Sequence, residues 1–122
     1  MAALRVRRVD FLRRRLTIAE AVTEVGGRLE FGIGAGWWHR EHAAYGVPFP
    51  PVAERMNGVE RGIRVMRALW APGTKEYADG VVSLPETTCY PRPSGAIRVI
   101  VGGNGERRTL RLAAALGDAC NL

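Results

Sequence analysis

Hydrophobic and polar positions along the chain change period several times, and each change marks an element. Between residues 9 and 25, Val9, Leu12, Leu16, Ala19 and Val22 recur at roughly helical spacing before Gly26 and Gly27, which predicts an N-terminal helix. "LEFGI", Leu29 to Ile33, is a short apolar run that breaks into "GAG", the pattern of a buried strand opening into a loop. The stretch "WWHREHAAYGVPFPP" follows as a loop, and its last proline, Pro51, suits the first position of a helix. Val52, Met56, Val59, Ile63, Met66 and Trp70 then repeat at alternating steps of four and three, while Glu54, Arg55, Glu60, Arg61, Arg64 and Arg67 occupy the other faces. That is an amphipathic helix, stopped by Ala71, Pro72 and Gly73.

Beyond it, "TKEY" and "VVSL" are joined through "ADG", whose Asp79 and Gly80 are the residue types of a tight hairpin turn. "IRVIV", Ile97 to Val101, reads as a second buried strand, Glu106 to Leu116 as a helix ended by Gly117, and "DACNL" as the opening of a third strand. Strand, helix, hairpin, strand, helix, strand is the order of an α/β protein, with the two long strands parallel and their carboxyl ends on one rim.

Composition adds little to this until charge is located. The 122 residues suit one domain, with 47% hydrophobic and 25% charged residues, and no apolar run reaches the ~20 residues of a membrane span. The formal charge of +6 sits almost wholly in the first fifteen residues, where Arg5, Arg7, Arg8, Arg13, Arg14 and Arg15 face Asp10 alone. The remainder is nearly neutral, and no aromatic residues interleave with the arginines beyond Phe11, so the run reads as a solvated face rather than a nucleic-acid surface. It holds no serine, unlike an organelle transit peptide. Cys89 and Cys120 stand apart without a C-x-x-C, as free thiols of a cytoplasmic protein do.

Candidate chemistry gathers where strands end. "VIVGGNGERRTL" passes from a β-branched run through Gly102, Gly103, Asn104 and Gly105 into a helix. Unpaired N–H groups and the helix dipole make such a turn a phosphate cradle; a tight strand-to-helix turn without ligand would welcome the same residues. It is neither G-x-x-x-x-G-K-[ST] nor G-x-G-x-x-G. Gly32, Gly34 and Gly36 form a second cluster at the other strand's carboxyl end, followed by the flat surfaces of Trp37 and Trp38, and ligands of parallel α/β folds collect at that rim. His39 and His42 make no H-E-x-x-H and have no evident third ligand, so they are candidates for a proton or a hydrogen bond and no metal site is expected. Ser83 and Ser94 are the only serines, which leaves a serine triad without a nucleophile.

Taken together, "GRLEFGIGAGWWHREHAAYGVPFPP", "ERMNGVERGIRVMRALW" and "CYPRPSGAIRVIVGGNGERRTLRLAAALGDACNL" resemble the luciferase-like monooxygenase family, in its branch using the deazaflavin coenzyme F420. The resemblance spans residues 26 to 122 and leaves residues 1–25 as an Arg-rich N-terminal segment. It implies an α/β fold of (β/α)8 TIM-barrel type, about half a barrel with parallel strands and a small inserted hairpin. It also implies a cofactor, F420 first and FMN as the alternative. Gly34, Ala35, Gly36 and Trp37 would approach that cofactor, and Gly102, Gly103, Asn104 and Gly105 would hold its phosphate. The function implied is that of a flavin- or F420-dependent oxidoreductase acting on a small organic substrate, with His39 and His42 as candidates for the catalytic proton. No nucleic-acid or membrane partner follows, and a homo-oligomer or a complementing barrel half does. The rival expectation is a noncatalytic remnant that associates through an open sheet edge.

Overall fold

The computed structural model describes residues 8–10, 15–17, 29–90 and 92–121. Its centre is a parallel sheet of β3 (Glu30–Gly34), β6 (Arg98–Gly102) and β7 (Ala119–Asn121), in the order β3-β6-β7. Between β3 and β6 run α1 (His39–Ala44), α2 (Val52–Trp70) and a hairpin of β4 (Tyr77–Ala78) and β5 (Ser83–Leu84). Between β6 and β7 runs α3 (Arg108–Leu116). The parallel pairing expected of the two long strands is present, each shifted by one residue toward its glycine, with Gly34 opposite Gly102.

Period-two alternation decides the faces of the sheet. Phe31 and Ile33 of β3 join Val99 and Val101 of β6 against Met56, Val59 and Ile63 of α2 and Leu112 of α3, and Ile63, Val99 and Val101 are fully buried. Glu30, Gly32 and Gly34 alternate with them and are exposed. Close approach of helix to sheet needs a missing side chain at two points. A Cβ on Gly62 would lie 3.1 Å from Ile33 Cδ1, and one on Gly117 would lie 3.0 Å from Val101 Cγ2. Farther along α2, Trp70 meets Phe31 edge to face at 5.5 Å, a geometry that aromatic quadrupoles favour.

Polar side chains fasten the ends of these elements. Asp118 accepts a hydrogen bond from Val99 N at 2.8 Å and pairs with Arg67, which also donates to Leu116 O at 2.9 Å. The amide of Val99 holds the Asp118 carboxyl below the usual aspartate range, with Arg67 acting in the same direction. In the hairpin turn, Asp79 accepts from Val82 N and Val81 N at 2.8 and 3.0 Å and pairs with Arg61 of α2. Those two amides likewise hold its carboxyl low. Arg92 spreads its guanidinium over the carbonyls of Leu69, Ala71, Gly73 and Thr87, so the carboxyl end of α2, bare of intrahelical donors, is met by one cation.

Three expectations are corrected. The helix expected over residues 9 to 25 is replaced, where the structure describes that stretch, by an antiparallel pair of β1 (Arg8–Asp10) and β2 (Arg15–Thr17), with Val9 opposite Leu16. A polar-apolar-polar triplet satisfies a period of two as well as a helical one, and β-branched Val9 and Thr17 favour the strand; residues 18–25 lie outside the described residues. Within the expected loop, "HREHAA" forms α1. It has no buried residue, so the chain carries no apolar stripe there from which a helix is readable. The last helix also starts at Arg108, with Glu106 and Arg107 forming a turn before it.

Candidate functional site

The parallel strands end on a rung of Gly34, Gly102 and Asn121, side by side in register. Gly34 has no room for a side chain here: a Cβ on it would lie 2.9 Å from Gly102 O. The ladder continues one step through Gly103 N, which donates to Asn121 O at 3.0 Å, and the chain then turns at Gly103 with φ +143. A cavity of about 990 Å³ opens at this rim, at the upper end of the range for small-molecule sites.

The cavity is lined by Gly34, Ala35, Gly36 and Trp37 on one side and by Gly102, Gly103, Asn104 and Gly105 on the other. All eight residues singled out in the sequence as cofactor contacts therefore meet around one space. The amino ends of two helices complete it, with Val52, Ala53, Arg55 and Met56 from α2, Arg108 and Thr109 from α3, and Phe49 and Asn121 between. No side chain caps the amino end of either helix, and the first turn of α3 holds no acidic residue. Among the described residues the lining has two arginines and no carboxylate, so its field favours an anion.

The glycines of the loop answer different demands. Gly103 has a left-handed φ, and a Cβ on Gly105 would lie 2.7 Å from Oγ1 of Thr109, a residue only 3% exposed. Those two are required by the chain itself. Gly102 is not: a Cβ there would meet only Asn121 O and Ile33 O, both at 3.9 Å. At Gly103 and Gly105 the need for glycine is thus met within the chain, whereas Gly102, whose bare face borders the cavity, answers no such demand.

His39 and His42 are placed on α1 and do not line the cavity. Both rings stand edge-on to Phe49, at 5.4 and 4.7 Å between centroids, and His42 Nδ1 lies 3.1 Å from Trp38 O. The His42 ring also fills the space beside Gly36, where a Cβ would lie 2.9 Å from its Cε1. Trp37 and Trp38 are stacked at 6.2 Å, and Trp37, 84% exposed, borders the cavity. No group of three or more His, Cys, Asp or Glu among the described residues is placed to hold a metal, and no described helix is long and apolar enough to cross a membrane.

The sequence reading missed Phe49, Arg55, Arg108, Thr109 and Asn121. Arg108 and Thr109 stand three and four residues after Gly105, so the first turn of the helix was the available signal. Arg108 donates to Ala53 O at 3.1 Å and to Asn57 Oδ1, tying the start of α3 to α2. Arg55 carried no such sign, because one arginine on a helix with several looks like any solvated cation.

An α/β chain with a cavity at the carboxyl rim of a parallel sheet has it where the ligands of parallel α/β folds collect. Residues 17–121 match the luciferase-like monooxygenase family, and the chain belongs to that family. It is 30% identical over 105 residues to an F420-dependent glucose-6-phosphate dehydrogenase of Kineococcus radiotolerans, covering 83% of this chain and 31% of that protein. It is 30% identical over 94 residues to the pyrimidine monooxygenase RutA of Allorhizobium ampelinum, covering 75% and 25%. An uncharacterized protein of Mycobacterium tuberculosis is 29% identical over 93 residues, covering 76% and 31%. The chain spans about a third or less of the length of these curated relatives.

Proposed function

We propose that this chain is the cofactor-holding part of a luciferase-like oxidoreductase, and that its cavity takes the phosphate end of coenzyme F420, or of FMN, for work on a small organic substrate. In this reading the three-stranded sheet is part of a (β/α)8 barrel, whose ligands lie at the carboxyl rim. One observation carries it: three strand ends, a glycine loop, the uncapped start of α3 and Arg108 converge on one cavity without a carboxylate. The relatives named for F420 and for pyrimidine monooxygenation favour a deazaflavin or flavin over other phosphorylated ligands.

When bound, the cofactor supplies the hydride chemistry. The chain's own residues bind and orient. Free N–H groups of the loop beyond Gly103 and of the first turn of α3 would hold the phosphate, Gly102 leaves space beside it, and Arg108, lining the same cavity, would add a fixed positive charge. Trp37, Phe49, Val52 and Met56 give the cavity an apolar side that keeps water from a ring. His39 and His42 brace Phe49 from behind, so a proton role for either asks for a ring rotation toward the ligand.

Titration of the protein with F420 and with FMN, followed by cofactor and tryptophan fluorescence, tests this. Binding of at least one, weakened when the cofactor is dephosphorylated, is expected; no binding of either, or equal binding of both forms, overturns the reading.

A second reading, a noncatalytic chain that associates through its sheet, is favoured by a separate observation. Among the described residues β3 and β7 each pair on one side only, and the face carrying Glu30 and Gly32 has no helix over it, with open space at Gly32. The same titration separates the two readings.

A further inference from the structure

The wall of the cavity opposite the glycine loop is a four-residue segment with little to hold it. Gly34 to Trp37 leaves β3 without pairing to another strand beyond Gly34, and Trp37 at its end is largely exposed. Two of its residues have no room for a side chain: a Cβ on Gly34 would lie 2.9 Å from Gly102 O, and one on Gly36, at φ +72, 2.9 Å from Cε1 of His42. Between them, the Ala35 carbonyl receives a hydrogen bond of 3.1 Å from Arg55 Nε, twenty residues along the chain and one turn into α2. The same guanidinium donates through Nη1 to Pro50 O at 2.6 Å, and its Cζ lies 3.8 Å from the centre of the Phe49 ring. One planar group therefore fixes the segment bearing Trp37, the chain entering α2 and the aromatic ring between them.

We propose that Arg55 is a positioning residue, which sets the ring-bearing wall of the cavity by clamping the Ala35 carbonyl to the start of α2 and to Phe49. The chemistry of the guanidinium fits the task. Its donors lie in a rigid fork, so two carbonyls on different segments are met at once while the flat face rests on Phe49; a lysine ammonium offers a point charge without that plane. Both acceptors are backbone carbonyls. Its bonds are spent on geometry, and removing them frees a wall rather than breaking the core, since Arg55 is not among the residues of the hydrophobic cluster.

The inference rests on the proposed cofactor reading for its effect on affinity, and stands apart from it for its effect on the segment. Two variants, Arg55→Lys and Arg55→Met, are compared with the parent by backbone ¹⁵N order parameters and by cofactor titration. In both variants the order parameters of residues 35–37 are expected to fall from about 0.85 toward 0.6 or below, with residues 98–102 and 108–116 unchanged. In Arg55→Lys, which keeps the charge, affinity for the phosphorylated and dephosphorylated cofactor is expected to fall by the same factor, roughly tenfold to a hundredfold, the scale of one charge-assisted hydrogen bond. The preference for phosphate is kept there, because the wall and not the cradle has moved, whereas Arg55→Met also removes one of the two arginine charges lining the cavity and gives up part of that preference. Unchanged order at 35–37, a loss of order spread through the sheet, or unaltered affinity in a parent that binds would each overturn the proposal. Were the parent to bind neither cofactor, the functional reading would fail alone, and the order parameters would still decide whether Arg55 holds the wall.

Discussion

Gly102, Gly103 and Gly105 look alike in the sequence and differ once their surroundings are known. Gly103→Val forces a β-branched residue to φ +143, a strain of about 1–3 kcal/mol, so its thermal unfolding midpoint should drop whether or not a phosphate ever binds. Gly102→Ala meets nothing closer than 3.9 Å and should unfold with the parent while binding phosphorylated cofactor more weakly; unchanged affinity would mean that the anion sits elsewhere. The eight residues on the two strand-end loops were legible because glycine clusters after apolar runs have few explanations. Arg55, Thr109 and Asn121 were not, because each gains its place from a partner remote in sequence: Ala35 and Phe49 for Arg55, Gly105 for Thr109, Gly102 for Asn121. A single sequence does not state such pairings.

Among elements, α2 is the one whose expected bounds and structure agree, Val52–Trp70, since nineteen residues give the helical period room to exclude all others; of its apolar stripe, Val52 at the amino end is exposed. Its centre is Ile63, fully buried against Val99 and Val101. Ile63→Ala should cost about 2–5 kcal/mol, and Ile63→Asp, which places an unpaired carboxylate there, should leave no cooperative unfolding transition; denaturant titration followed by circular dichroism measures both. Three-residue strands offer no such length, which is why Arg8–Asp10 and Arg15–Thr17 were open to either period. The hairpin was legible from Asp79 and Gly80 alone, and it makes a pH prediction. Hydrogen bonds from Val82 and Val81 lower the Asp79 carboxyl, as Val99 and Arg67 lower Asp118. A carboxyl held low in the folded state adds stability that is complete above the ordinary aspartate range, about pH 4, and is lost as pH falls through the lowered value. Asp118→Asn should therefore flatten the acid limb of stability against pH, with little change in its slope near neutrality. An acid limb identical to that of the parent would remove Asp118 from the account.

For the whole molecule, the arrangement of the sheet separates the two readings of function by place. The cavity occupies the carboxyl rim, whereas the outer side of β7, unpaired among the described residues, runs along Ala119–Asn121, where Cys120 is exposed and does not line the cavity. Strand edges left open in this way template pairing with another chain, and a lysine on the edge opposes it. If association proceeds through β7, Cys120→Lys should lower the weight-average mass in sedimentation velocity at high protein concentration, with reductant in both samples so that thiol oxidation plays no part. Cofactor affinity should stay with the parent, because the substitution lies outside the cavity lining. A mass that stays high in Cys120→Lys would move the association to the face bearing Glu30 and Gly32 or to the edge of β3. A mass that is monomeric in both proteins would leave the edge without a partner of its own kind, and would weigh toward the cofactor cavity as the molecule's working surface.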